Sequence, residues 1–204
     1  GWTCLDVLDH TAKGTGVWAA FLEANPSEDP IELLTAEVRH ALVWRAELAD
    51  LVPAARVRFD SFLNTARSID PSKPALFWNG LAPAGVMLCQ SATESWVHVA
   101  DVAAAIGVEV PISEDESADL LGWSVMFRMF AAAWRGDDHP STLAIEATDT
   151  HQAFMLGSGE PAASVTGTAV ELSMCLWGRM DTPPDGDLQA LAAWADLAMI
   201  SPLG

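Results

Sequence analysis

Glu94 and His98 stand four residues apart in SATESWVHVADVAAAIG, the stretch from Ser91 to Gly107. Residues at that spacing leave one face of a helix. Gln90, Ser91 and Asp101 join them at three- and four-residue steps and complete a polar stripe. The other positions, among them Val86, Leu88, Trp96, Val97, Val99 and Ile106, are apolar. A helix apolar on most sides is expected to be buried. A carboxylate and an imidazole buried together need a partner, a hydrogen bond or a metal. A divalent ion held from two successive turns is one solution and a solvated polar face is the other; the spacing alone does not separate them.

His10 offers a third donor. Val7, His10, Gly14, Val17 and Phe21 follow helical spacing, so the histidine lies on an otherwise apolar stripe. By itself it reads as a satisfied core histidine. Taken together, His10, Glu94 and His98 would supply three ligands from two helices, with an open fourth position for water or a thiol. Two imidazoles and a carboxylate suit zinc or a similar divalent ion better than calcium or magnesium. Asp101, one turn beyond His98, would accept a ring N–H and fix the tautomer, or else sit as a surface carboxylate. Arg179 follows Trp177 and Gly178. It would either clamp a substrate carboxylate or complement the dipole of the helix it ends. His40, His139 and His151 lie among polar residues and read as solvated. The chain has no GxSxG, no GxxxxGK[ST] and no GxGxxG after a strand.

The elements that must position these groups read as follows. Thr3 to Ala24 forms a helix, with Thr3 and Asp6 as a capping box. Ile31 to Ser68 is helical, with a kink or a division into two helices at Pro53. Asp70 to Pro83 is a loop pinned by Phe77 and Trp78. The central helix ends at Gly107. Ser113, with Glu116 as its box partner, starts a helix that runs to about Arg135. The period then shortens towards two: Ser141–Ala147, Ala153–Leu156 and Ala163–Val165 read as strands, with a hairpin over Thr150–Gly159. Gly167 to Trp177 and Asp187 to Ile200 close the chain as helices. Helices first and a small mixed sheet after them give an α+β chain of two domains, 1–111 and 112–204.

The 204 residues, half of them hydrophobic, are enough for such cores. The net charge of −18, from 10 Lys and Arg against 28 Asp and Glu, argues against nucleic acid and anionic membranes as partners. No apolar run is long enough to span a bilayer, and no secretory signal pattern opens the sequence. Cys4, Cys89 and Cys175 are scattered in apolar runs and read as buried, reduced thiols of a cytoplasmic protein.

Three blocks carry a resemblance. GWTCLDVLDHTA, Gly1 to Ala12, resembles the GW-x-x-x-D-x-x-x-H signature of the mycothiol-dependent maleylpyruvate isomerase family. ESWVHVADVAAAIG, from Glu94, resembles its E-x-x-x-H-x-x-D segment. SVTGTAVELSMCLWGRMD, Ser164 to Asp181, resembles its C-terminal segment ending in L-W-G-R. The resemblance implies a DinB-like four-helix bundle followed by a sterol-carrier-like α/β domain. It implies zinc on His10, Glu94 and His98, a site role for Arg179, and mycothiol or a related thiol as cofactor. It further implies a small-molecule substrate, isomerised by reversible addition of the thiol to a cis-enedione. Transfer of the thiol to an electrophile is the alternative. A metal-binding regulatory module without catalysis, or a metal-free carrier of apolar ligands, would be the non-enzymatic readings. Two departures stand out. The family has a further helix before the GW block, which this sequence lacks. Val99 and Ala100 stand where Arg-Trp is common.

Overall fold

The computed structural model describes residues 3–25, 29, 32, 48–77, 80–136, 140–179 and 184–197. The chain is α+β and divides into two compact units, Gly1–Val110 and Pro111–Pro202.

The first unit opens with α1, Cys4–Glu23. The Thr3 hydroxyl accepts from the Asp6 backbone N–H, and the Asp6 carboxylate accepts from the Thr3 backbone N–H at 2.7 Å. These bonds satisfy donors that a helix start otherwise leaves open. α2, Leu48–Ser68, packs along α1. Leu51 and Ala55 are buried, and Pro53 stands between them inside one continuous helix. A division into two helices at Pro53 is therefore not what forms: packing on either side of the proline holds the helix across the missing hydrogen bond. Gly16 gives α2 room, since a Cβ there would lie 2.8 Å from Nη1 of Arg58. The expected helical residues 33–47, with His40 among them, lie outside the described residues, so only three of the expected bundle helices are described.

Residues 70–83, expected to be a loop, contain an antiparallel hairpin of β1, Pro74–Phe77, and β2, Gly80–Pro83. Its prolines face each other at the open end, Pro74 against Pro83, where a missing N–H costs little. Ala75, Leu76 and Phe77 are buried, which turns a proline-bounded connector into a strand. Trp78 lies outside the described residues. The hairpin leads directly into α3, Ala84–Ile106, where the Gly85 N–H donates to the Pro71 carbonyl at 2.8 Å. Gly107 ends α3 in the left-handed conformation, φ 68°.

The second unit begins with α4, Glu114–Arg135, capped by the Ser113–Glu116 box. Strands β3, Leu143–Ala147; β4, Ala153–Leu156; β5, Ala163–Gly167; and β6, Asp185–Gly186, form a sheet of order β4-β3-β5-β6. β3 pairs antiparallel with β4 and parallel with β5. The hairpin therefore spans β3 and β4, and the expected one over Thr150–Gly159 is displaced: Thr150 lies in its turn. α5, Ala169–Leu176, starts after the Thr168 cap, so Gly167 belongs to the strand. α6, Leu188–Ala195, is capped by Asp187. Leu121, Ile145, Leu156, Leu172, Leu176 and Trp194 form the centre of this unit's core. The cysteines are only partly as expected. Cys175 is buried and Cys89 half-buried, but Cys4, on the first turn of α1, is exposed. Among the described residues no helix is long and apolar enough to cross a membrane.

Candidate metal centre

α3 turns its polar stripe inward. Gln90, Ser91 and His98 are buried, while the apolar Val99 and Ile106 are exposed at 53% and 64%. The buried polar stripe that a metal site needs is therefore present, flanked by the buried apolar Met87, Val97 and Ala103. α3 packs against α1, and its stripe faces the one position of α1 that carries an imidazole.

The contact is direct. His10 Nε2 lies 3.4 Å from Glu94 Oε1, and the rings of His10 and His98 meet edge to face with centroids 5.0 Å apart. One donor atom from each of His10, Glu94 and His98 falls within 4.8 Å of the others. Two ligands bound to one tetrahedral zinc at about 2.0–2.2 Å are themselves roughly 3.4 Å apart. The His10–Glu94 separation already matches that edge. The donor set, two imidazoles and one carboxylate, fits zinc or a similar borderline ion. Among the described residues the group has three members, the number that leaves a fourth position for an exchangeable ligand. His10 keeps 42% of its side chain accessible, so the group can be reached from solvent.

His98 is oriented by its own helix. Its Nδ1 lies 3.3 Å from Asp101 Oδ2, one turn on. A proton on Nδ1 shared with that carboxylate leaves Nε2 as the lone-pair nitrogen. Burial first, and the neighbouring His10 second, push the His98 pKa below its ordinary value; Glu94 and Asp101 oppose this. The neutral imidazole that results is the form that binds a metal. Asp6 remains a capping residue.

Arg179 belongs to the second unit. The end of α5 is a Schellman turn: the Gly178 N–H donates to Cys175 O at 2.9 Å and the Arg179 N–H to Met174 O at 2.8 Å. Gly178 adopts φ 78°, which explains the glycine between tryptophan and arginine. The Arg179 Nη1 donates to the Trp177 carbonyl, so the helix-end role has a direct contact. A buried residue the sequence reading passed over lies beside it. Arg128, in the apolar run VMFRMF of α4, is only 9% exposed. A charge inside such a run was the available signal. It donates to Leu197 O at 2.7 Å, and its Cζ lies 5.8 Å from the Trp177 ring centre. His151 is exposed as expected, and His139 lies outside the described residues.

Residues 1–103 match the sequence profile of the mycothiol maleylpyruvate isomerase N-terminal domain. Two crystal structures of the mycothiol-dependent maleylpyruvate isomerase, one of them a histidine-to-alanine mutant, share the fold. Their TM-scores are 0.66, at 16% and 15% identity respectively, over 92% of this chain and 78% of theirs. At that identity the likeness speaks to the fold. No significant match is found among curated proteins.

Proposed function

The chain belongs to the mycothiol maleylpyruvate isomerase family, and on that premise we propose that it is a metal-dependent enzyme using a low-molecular-weight thiol, mycothiol or a close relative. Its reaction is the cis–trans isomerisation of a small maleylpyruvate-like substrate. The observation that carries this reading is the convergence of His10, Glu94 and His98 within 4.8 Å.

His10, Glu94 and His98 would hold zinc or a similar divalent ion. When bound, that ion supplies a Lewis acid that lowers the pKa of a thiol, so that the anion is available near neutral pH. The chain's own groups prepare for this. Burial keeps His98 neutral, and Asp101 holds its ring by Nδ1. The accessible flank of His10 gives small molecules a way in. Arg179 would orient a substrate carboxylate, for which the planar guanidinium is suited. In this reading the metal domain is 1–111 and the domain carrying Arg179 is 112–204. The scattered cysteines Cys4, Cys89 and Cys175 fit a reducing cytoplasm.

The test is elemental analysis of the purified protein beside its Glu94→Ala variant, followed by thiol-dependent isomerisation and transfer assays on wild type and His98→Ala. About one zinc per chain is expected, lost in Glu94→Ala. Full thiol-dependent turnover by His98→Ala would sink the proposal.

A further inference from the structure

Ser124 stands in the α4 stretch LLGWSVMFRMF and is 1% exposed, a hydroxyl among apolar neighbours. Alanine would fill nearly the same space and is the better helix former, so a serine there needs a use. Its two hydrogen bonds supply one. The Leu120 carbonyl can only accept, so the Ser124 hydroxyl donates to it, at 2.7 Å. The Trp177 Nε1–H can only donate, so Ser124 Oγ accepts from it, at 3.0 Å. The bond back to its own helix turns the hydroxyl proton aside and leaves the oxygen's lone pairs for the indole. That indole is held on two further sides. Phe127 meets it edge to face with centroids 6.0 Å apart, and Arg128 Cζ stands 5.8 Å from its ring centre. Arg128 is itself tied down: it donates to Leu197 O at 2.7 Å, and the carboxylate of Asp196 acts on it.

Trp177 passes this rigidity on to Arg179. Its backbone N–H donates to Ser173 O and Met174 O, both at 3.1 Å, and closes α5. The Schellman turn then fixes the Arg179 backbone, and the guanidinium folds back to donate through Nη1 to the Trp177 carbonyl. The aim of that guanidinium therefore follows the peptide plane of Trp177, and the plane follows the docked indole. We propose that Ser124 is a positioning residue for Arg179, acting through Trp177: it anchors the indole, and the Trp177 carbonyl aims the guanidinium. The inference rests on the reading of Arg179 as the group that orients a substrate carboxylate, and adds what holds that group in place. A long side chain gives up rotamer freedom when it takes a ligand, and one already held gives up less.

The measurement is steady-state turnover of maleylpyruvate, with mycothiol saturating, by the zinc-loaded full chain. The chains compared are wild type, Ser124→Ala, Ser124→Thr, Arg179→Ala and the double variant carrying both alanines. Loss of the anchor should raise KM about tenfold in Ser124→Ala and leave kcat within about twofold, since it is the binding of the carboxylate that loosens. Threonine keeps the hydroxyl and should bring KM back towards wild type. In the Arg179→Ala background the Ser124→Ala change should cost nothing more, because a residue that acts through another has no separate effect. A penalty equal in both backgrounds, or none where Arg179→Ala alone has one, overturns the inference and leaves the role of Arg179 standing. No turnover by wild type counts against the functional reading, and the inference is then decided by the Nε–Hε signal of Arg179, assigned by its absence in Arg179→Ala. That signal should shift towards those of exposed arginines in Ser124→Ala and return in Ser124→Thr; a signal that stays in place in Ser124→Ala overturns the inference. If Ser124→Ala does not fold, Trp177→Phe, which keeps a ring and removes the N–H, takes its place in both measurements.

Discussion

Asp101 Oδ2 lies 3.3 Å from His98 Nδ1, one turn further along the same helix. The carboxylate therefore determines which nitrogen of His98 carries the proton and where the other one points. Asp101→Asn should lower zinc affinity by roughly 10–100-fold with little change in fold. A chelator-competition titration reads this directly, and an unchanged affinity would show that Asp101 is only a surface carboxylate.

A metal that binds the folded chain alone must also stabilise it. Free zinc at a hundred times its dissociation constant should add about 2.7 kcal/mol to folding. Thermal melting with and without a chelator measures the gain, which should vanish in Glu94→Ala. Equal stabilisation of wild type and variant would mean that the ion binds elsewhere.

The capping boxes predict an acid-side dependence. Hydrogen bonds from the Ser113 backbone N–H and hydroxyl hold the Glu116 carboxyl below its ordinary pKa. The Thr3 hydroxyl and backbone N–H do the same for Asp6. A carboxyl whose folded pKa is lowered contributes stability that is fully present above its unfolded value and is lost as the pH falls through the folded one. Ser113→Ala should therefore melt below wild type at pH 7, and the gap should narrow as the pH drops below the ordinary carboxylate range. A gap independent of pH would refute the ionic part of the box.

Among the described glycines, Gly186 is the one whose replacement should cost most. It adopts φ 117° in β6, and a Cβ there would lie 2.3 Å from Ser164 O on the neighbouring strand. Gly186→Ala should destabilise the second unit by about 1–3 kcal/mol for the backbone conformation alone, with the clash added. Denaturant unfolding measures it; a neutral effect would mean that β6 pairs otherwise.

What the sequence by itself determined was local. Thr3 with Asp6, Ser113 with Glu116, and Gly107 mark helix ends through bonds made within a few residues, and the structure has each helix end where those residues stand. The strands expected at Ser141–Ala147, Ala153–Leu156 and Ala163–Val165 were legible as a change of hydrophobic period, and they form as Leu143–Ala147, Ala153–Leu156 and Ala163–Gly167. His10, Glu94 and His98 could be named as candidates, because polar residues on apolar helices stand out. Their convergence was implied by the family resemblance and not by spacing alone, since it depends on which face of α3 meets α1. A helix apolar on most sides can be turned in several ways, and here Gln90, Ser91 and His98 went inward while Val99 and Ile106 went out. The same holds for the hairpin of residues 74–83, which burial of Ala75, Leu76 and Phe77 makes a strand pair in spite of its prolines. It holds most of all for Arg128 and Arg179, distant in sequence. Each contacts Trp177, Arg128 at the indole ring and Arg179 at the backbone carbonyl, while the indole N–H donates to Ser124, and no spacing rule contains those contacts.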